Sequence, residues 1–120
     1  MKQPDRKLRQ ERWIKNAAGL PMAILDIPAD LHRDRTFEIA CSMTVRANEG
    51  ATSPWHQMRV SADGELQWSR RIDTLHPAPF DGLDYRFRRT VAAGRALRVQ
   101  AAVECAQARR LTLAIEAEEC

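Results

Sequence analysis

Histidine spacing sets the first limit on the chemistry open to this 120-residue chain. His32, His56 and His76 form none of the spacings H-x-H, H-x-x-x-H or H-E-x-x-H. Metal ligands must converge on one ion, and such spacings are the common way to achieve it within one element. We therefore predict no metal site and no cofactor. A dispersed catalytic cluster of His56, Arg70 and Asp73 near one sheet end is the alternative, without a nucleophile elbow, P-loop or dinucleotide fingerprint to support it.

The three cysteines show no C-x-x-C spacing. Cys41 and Cys105 fall on the apolar phase of alternating runs, which favours two small buried hydrophobes kept reduced in the cytosol. The alternative is a disulfide across a sandwich, as in immunoglobulin-like domains. That motif has a tyrosine two residues before the second cysteine, where this chain has Val103. Cys120 has no evident role.

Arginine dominates the basic residues, and the formal net charge is +3. Arg86, Arg88 and Arg98 are candidates for an anion-binding patch, and Trp55 at a strand start is a candidate for a ligand rim. Aromatic side chains do not interleave with these arginines, which argues against single-stranded nucleic acid. The patch therefore leaves a small anion or a carbohydrate as alternative ligands.

Two further features indicate a protein partner. The first is an N-terminal basic arm, residues 1–20, which we predict to be helical from Asp5 to Ala18 with Gly19 just beyond it. The second is a strip of small side chains on the predicted outer face, where another backbone can approach closely. The candidate partner-binding residues are Arg9, Arg12, Trp13 and Ile14 in the arm, and Thr90, Ala102, Thr112 and Ala114 in the strip.

The elements that position these residues are predicted from period-two alternation, the pattern of a strand with one buried side. About seven short strands follow the arm, and with one short helix available a second sheet must cover the first. We predict an all-β fold: a two-sheet β-sandwich, immunoglobulin-like or jelly-roll, over residues 21–120. The predicted strands lie at 22–27, 36–46, 55–61 and 65–72, with three more between 84 and 118.

Turn lengths predict which strands pair. A three-residue Ala62-Asp63-Gly64 loop places Val60 opposite Leu66. Ala92-Ala93-Gly94 and the 106–110 connection predict a meander of the last three strands. Its pairs are Phe87 with Val99, Tyr85 with Ala101, Cys105 with Leu111, Val103 with Leu113 and Ala101 with Ile115. In that register Arg88 faces Arg98, Glu118 also faces Arg98, and Glu116 faces Gln100.

These observations favour a small cytoplasmic, non-enzymatic protein-binding module: an accessory subunit, adaptor or inhibitor that docks on another protein or on its own copies. No apolar run approaches the length of a membrane helix, and the charged start of the chain is not a secretory signal. A carbohydrate- or anion-binding sandwich is the first alternative. An enzyme with a dispersed site, or one shared with a partner subunit, is the second.

Overall fold

The computed structural model describes residues 10–120, which form eight β-strands and no helix. Within this range no helix has the length and apolar character needed to span a bilayer. The strands are β1 (Arg12–Asn16), β2 (Met22–Ile27), β3 (Arg35–Ala47), β4 (Trp55–Ala62), β5 (Glu65–Asp73), β6 (Asp81–Val91), β7 (Leu97–Ala106) and β8 (Ala108–Glu119).

Two antiparallel sheets of four strands face each other. Sheet A has the order β1-β8-β3-β6, and sheet B has the order β2-β7-β4-β5. The chain changes sheet at every connection except the tight β4–β5 turn. This connectivity is that of a jelly roll, in which eight strands form two Greek keys. The predicted β-sandwich is therefore confirmed, with one strand more than the sequence indicated.

The core lies between the sheets and follows the alternation of the strands. Every second residue of β3 from Phe37 to Val45 is buried, and β4, β7 and β8 repeat the pattern. Burial of these apolar side chains is the main stabilising contribution, because each removes its surface from water. The largest fully buried side chains are Phe37, Ile27, Ile39, Met43, Met58, Leu97, Leu113, Ile115 and His56.

The prediction of an N-terminal helix is wrong where the structure describes it. Arg12–Asn16 is the edge strand β1 of sheet A, paired antiparallel with β8 from Arg12↔Glu118 to Asn16↔Ala114. Trp13 faces inward and packs against the core, whereas Ile14 is half exposed on the outer face. The earlier part of the predicted helix, with Asp5 and Arg9, lies outside the described residues.

The predicted C-terminal meander is also wrong, because β7 lies in the other sheet. β6 pairs with β3, so Phe87 lies opposite Ile39 and Tyr85 opposite Cys41. β7 pairs with β2 and β4, and β8 pairs with β1 and β3. None of the five predicted pairs between the last three strands is formed. Their apolar phases are nevertheless the inward ones, because both sheets turn those faces to one core.

The hairpin between β4 and β5 has a different register from the predicted one. Asp63 and Gly64 form a two-residue turn with positive φ at both positions, and Ala62 pairs with Glu65. The register then shifts, so that Val60 faces Trp68 rather than Leu66. This bulge keeps Trp68 on the inner face, which the turn alone would not do.

A buried arginine joins several loops at one end of the sandwich. Arg35, at the start of β3, is 3% exposed. Its Nη1 donates to Glu11 Oε1 at 2.8 Å, and its Nη2 donates to the carbonyl oxygens of Pro28 at 2.9 Å and Arg95 at 3.4 Å. The guanidinium thus connects the segment before β1 with the β2–β3 and β6–β7 connections. These bonds to the two terminal nitrogens offset much of the cost of burying the charge, although Nε is buried without a hydrogen-bond partner in the described structure.

Candidate functional site

The outer face of sheet A is built from rows of directly opposed residues, which share a face in an antiparallel sheet. One row runs Ile14, Glu116, Ala40 and Arg86 across β1, β8, β3 and β6. Within it, the small side chain of Ala40 separates an acidic from a basic residue. The row therefore has a gap at its centre and charge on both sides of that gap.

The next two rows continue the gap along the sheet. One contains Ala114, Ser42 and Asp84, and the other contains Thr112, Thr44 and Gly82. A solvent-facing sheet normally carries longer polar side chains at such positions, so this block is unusual. We call it the small-residue floor. Its members are Ala40, Ser42, Thr44, Gly82, Thr112 and Ala114.

The two threonine hydroxyl groups of the floor are already paired with each other. Thr44 Oγ1 lies 2.7 Å from Thr112 Oγ1, and farther along the sheet Thr36 Oγ1 lies 2.9 Å from Thr90 Oγ1. Removing water from hydroxyl groups that already hydrogen-bond each other costs less free energy, since unmade hydrogen bonds are the main cost of burying polar groups. A partner that binds over the floor therefore pays a smaller desolvation cost than the threonine content of the floor suggests.

A depression of about 200 Å³ marks the centre of this face. Ala40, Ser42 and Ala114 form its base, and Glu116 stands on one side of it, facing Arg86 on the other. Its dimensions suit a side chain or a short stretch of backbone rather than a metabolite, since ligand pockets usually enclose about 300–1,000 Å³.

Charges around the floor differ in whether they are paired. Arg12 Nε donates to Glu116 Oε2 at 2.7 Å, so this side is internally neutralised. Arg88 lies opposite Glu38 in register. Among residues 10–120, however, neither Arg86 nor Arg88 has a carboxylate oxygen within 4.0 Å. The β6 side of the floor therefore presents two guanidinium groups that remain open to a partner, with the exposed carboxylate of Asp84 beside them.

The predicted residues are divided between the two sheets. Thr112 and Ala114 lie in the floor, and Thr90 lies on the same face toward one end. Ala102 is on the outer face of sheet B, opposite Met22 and Arg59, so the predicted single strip does not exist. Of the arm residues in the described chain, Arg12 and Ile14 are on the outer face, and Trp13 is turned toward the core.

The predicted arginine patch separates in the same way. Arg98 is opposite Asp26 on sheet B and donates to it at 2.7 Å and 3.2 Å, so it faces neither Arg88 nor Glu118. Hydrogen bonding to Arg98 lowers the pKa of Asp26. The prediction that Glu116 lies opposite Gln100 is wrong for the same reason, since these residues are on different sheets. Arg86 and Arg88 remain neighbours on β6.

The side chain of Trp55 lies on the outer face of sheet B and is half buried. The Arg71 guanidinium carbon stands 3.7 Å from the centre of its ring, a cation–π contact. Arg71 in turn donates to Gln57 Oε1 at 3.1 Å. One face of the tryptophan is therefore covered by the protein itself rather than open for stacking on a sugar.

The histidine of the dispersed catalytic cluster has other partners. His56 is fully buried; its Nδ1 lies 2.7 Å from Thr74 Oγ1 and its Nε2 lies 3.3 Å from the Gly82 carbonyl oxygen. It makes no hydrogen bond with Arg70 or Asp73, whose side chains are exposed on β5. In the part of the chain that the structure describes, no group of three or more histidine, cysteine, aspartate and glutamate side chains is arranged to hold a metal ion.

Four residues of the floor were not predicted: Ala40, Ser42, Thr44 and Gly82. The signal for three of them was present in the sequence, because β3 alternates an apolar residue with a small one from Ile39 to Val45. Their grouping with Thr112 and Ala114 depends on β3 lying beside β8, and alternation alone does not give strand order.

Neither a family model nor a curated protein matches this sequence. Among solved structures, the chain is similar to dimeric latent PorU from Porphyromonas gingivalis, with a TM-score of 0.56 and 13% identity over 92% of this chain and 12% of that chain. The mosquito-larvicidal Cry4Aa toxin from Bacillus thuringiensis gives a TM-score of 0.49 and 9% identity, over 86% and 18%. The chain thus spans less than a fifth of either protein. The likeness to PorU supports the sandwich fold alone.

Proposed function

We propose that this chain is a non-catalytic protein-binding module of the cytoplasm, an adaptor, accessory subunit or inhibitor that docks through the small-residue floor of sheet A. The observation that carries the proposal is the floor itself. Small side chains on a regular sheet allow another backbone to approach closely, and close contact over many atoms is what makes packing favourable.

The charges beside the floor suggest the chemistry of the partner. Arg86 and Arg88 lie along the β6 side without carboxylate partners among residues 10–120, whereas Glu116 is held by Arg12 on the other side. A complementary segment carries acidic side chains toward β6 and small side chains over Ala40 and Ala114. Such charge complementarity fixes orientation and speeds encounter more than it adds affinity.

Binding of a small anion is the second candidate, because Arg86 and Arg88 are two residues apart on one strand and point to the same side. The carbohydrate alternative has less support, since Arg71 covers a face of Trp55. An enzymatic function has less support still, because both ring nitrogens of His56 are bonded inside the core.

The test fills the floor without disturbing the core. Ala114→Arg places a long side chain on the floor, and Ala102→Arg makes the same change on the outer face of sheet B as a matched control. Each full-length protein is immobilised and exposed to an extract of the source organism. A protein held by wild type and Ala102→Arg but not by Ala114→Arg is then purified and titrated against all three by calorimetry.

We expect the purified partner to bind wild type and Ala102→Arg alike, and Ala114→Arg at least about tenfold more weakly, which corresponds to about 1.4 kcal/mol. Equal binding to all three proteins would exclude the floor as the docking face. Phosphate and citrate titrations of wild type and an Arg86→Gln/Arg88→Gln variant test the anion candidate. Saturable binding that the double variant abolishes, with no partner protein recovered, would replace the proposal with an anion site.

A further inference from the structure

Sheet A ends on a long strand whose outer edge is free in the described structure. β6 pairs with β3 over all eleven residues from Asp81 to Val91, without a register shift, and with no strand of residues 10–120 on its other side. Such an edge presents a row of backbone N–H and C=O groups that can pair with another strand. Proteins usually protect edges of this length with a bulge, a proline, a short strand or charged side chains, and of these β6 has only the charges.

The other edge strands show those protections. β1 has five residues and β2 has six. β5 is longer, but a register shift between Val60 and Ser61 of its partner strand interrupts its pairing near the turn. β6 contains neither a proline nor a bulge. Its edge is therefore the one in the described chain that is best formed to receive another strand.

The charges of β6 are segregated along its length. Asp81 and Asp84 are in its first half, and Arg86, Arg88 and Arg89 are in its second half. When two copies of such a strand pair antiparallel, the acidic half of each lies beside the basic half of the other. A parallel arrangement would set like charges beside each other, which is unfavourable. The strand is thus complementary to itself in one orientation only.

We propose that two copies of this chain associate through β6 across a two-fold axis at Tyr85, and that the two A sheets join into one. In this register Asp84 of each copy lies opposite Arg86 of the other, and Gly82 lies opposite Arg88. Both Asp84 and Arg86 are exposed on the outer face, free to pair. An axis at Arg86 would oppose the two Arg86 side chains, and an axis at Asp84 would oppose the two aspartates.

Aromatic side chains on the inner face of β6 also favour a second copy of the chain as the partner. Trp68 of β5 stacks on Tyr85 with ring centres 4.8 Å apart, and Tyr85 stacks on Phe87 at 5.5 Å. All three rings are only half buried, since they close the open side of the sandwich between β5 and β6. A second β6 covers this stack and sets Leu83 of one copy opposite Phe87 of the other. Aromatic cross-strand pairs are among the stabilising ones.

The dimer uses the backbone edge of sheet A, whereas docking uses the small-residue floor on its outer face, and Arg86 is the one residue that both proposals use. A two-fold contact of this kind is isologous, so each residue pair occurs twice. Joining the A sheets would also place the two small-residue floors on one continuous surface. A partner with two copies of its own docking segment would then bind with increased avidity.

Sedimentation equilibrium of the full chain tests the proposal with charge reversals on the exposed face of β6. Asp84→Arg places arginine opposite Arg86 twice, and Arg86→Asp places aspartate opposite Asp84 twice. We expect each variant to dimerise roughly ten- to a hundredfold more weakly than wild type. An equimolar mixture of the two variants restores all opposite-charge pairs and should form a mixed dimer. Glu104→Arg, a reversal on the outer face of sheet B, serves as the control and should dimerise like wild type.

Circular dichroism of each variant checks that a monomeric variant is folded. A wild-type chain that stays monomeric up to about millimolar concentration would overturn the proposal, as would a dimer unaffected by both reversals. A dimer strengthened by Arg86→Asp would overturn the register, because an axis at Tyr85 loses an opposite-charge pair by that change, whereas an axis at Phe87, which opposes Arg86 to Arg88, gains one. Failure of the mixture to associate would likewise exclude the Asp84–Arg86 pairing. None of these outcomes depends on whether the Ala114→Arg variant loses a partner protein.

Discussion

Arg33 donates hydrogen bonds from both terminal nitrogens to the two carboxylate oxygens of Glu119, with Nη2 lying 3.0 Å from Oε1. The same guanidinium contacts Glu11 at 3.1 Å and Asp30 at 3.2 Å. The β2–β3 connection is thereby held to the last residues of β8 and to the segment before β1. Bidentate pairs of this kind combine strength with fixed geometry.

Loss of the Glu119 charge is expected to destabilise the fold. Glu119 is 9% exposed and accepts bonds from Arg33 and from the Glu11 backbone N–H, so Glu119→Gln removes half of a charge-assisted pair in a largely buried position. We expect a loss of about 1–3 kcal/mol in the free energy of unfolding. Thermal and urea unfolding monitored by circular dichroism measures it.

The control for that substitution is an exposed pair. Asp26 and Arg98 have side chains 61% and 56% exposed, and solvent screens their attraction. Asp26→Asn should leave the unfolding midpoint close to that of wild type. Equal losses of unfolding free energy in Asp26→Asn and Glu119→Gln would show that the buried pair contributes no more than the exposed one.

The ion pair between Arg33 and Glu119 should also affect how stability depends on pH. The hydrogen bond from Arg33 holds the pKa of Glu119 below the ordinary glutamate value of 4.5. A carboxyl group whose pKa is lower in the folded state stabilises the fold above its unfolded pKa and ceases to do so as pH falls through the folded one. The difference in unfolding free energy between wild type and Glu119→Gln should thus be constant near neutrality and shrink below about pH 4.5. A difference that grew on acidification would contradict this assignment.

Thiol reactivity should follow burial. Burial raises the pKa of the Cys41 thiol to about 12, so it is protonated and enclosed in the core at neutral pH. Cys120 is exposed. Because the thiolate is the reactive form, iodoacetamide should label Cys120 in the native protein and Cys41 only after unfolding in guanidinium. Peptide mass spectrometry distinguishes the sites, and rapid native labelling of Cys41 would contradict its position.

Gly82 should not tolerate a side chain. A Cβ atom at this position would lie 2.4 Å from the carbonyl oxygen of Met43 on the neighbouring strand β3, far inside van der Waals contact. Gly82→Ala must therefore push β6 away from β3, and we expect a cost of about 1–3 kcal/mol in unfolding free energy. Ser42→Ala, on the same face but without such a contact, is the control. Equal stability of the two variants would show that β6 does not approach β3 so closely.

In β3, β4, β6, β7 and β8 alternation predicted which side of the strand is buried but not which strands are neighbours, and in β5 it wrongly predicted Leu66 to face the core. Tyr85, Phe87, Val99 and Val103 all point to the core as expected. Strand order depends on long-range packing, and two sheets facing one core give the same alternation as one folded meander. The interpretation of the arginines failed for this reason, because Arg98 lies on β7 in sheet B, whereas the meander placed it between β6 and β8, which are both in sheet A.

The N-terminal error has a related cause. The residues around Trp13 show neither a clear helical stripe nor a clear alternation of apolar and polar types. Of the two adjacent apolar residues, Trp13 faces inward and Ile14 is exposed. Pairing with β8 decides the conformation of this segment, and local propensity is a weak guide where tertiary pairing is available. The small-residue floor escaped prediction in part because it needs β3 and β8 to be neighbours.

The pairing of β1 and β3 with β8 bears on how the molecule reaches this fold. Since β8 lies between β1 and β3, sheet A lacks one of its two inner strands until residues 108–119 have been synthesised. Folds dominated by contacts between distant parts of the chain acquire their structure slowly, because each contact must first close a long loop. Until then β3 has no neighbour on that side, and an unpaired strand edge makes an incompletely folded chain prone to aggregate.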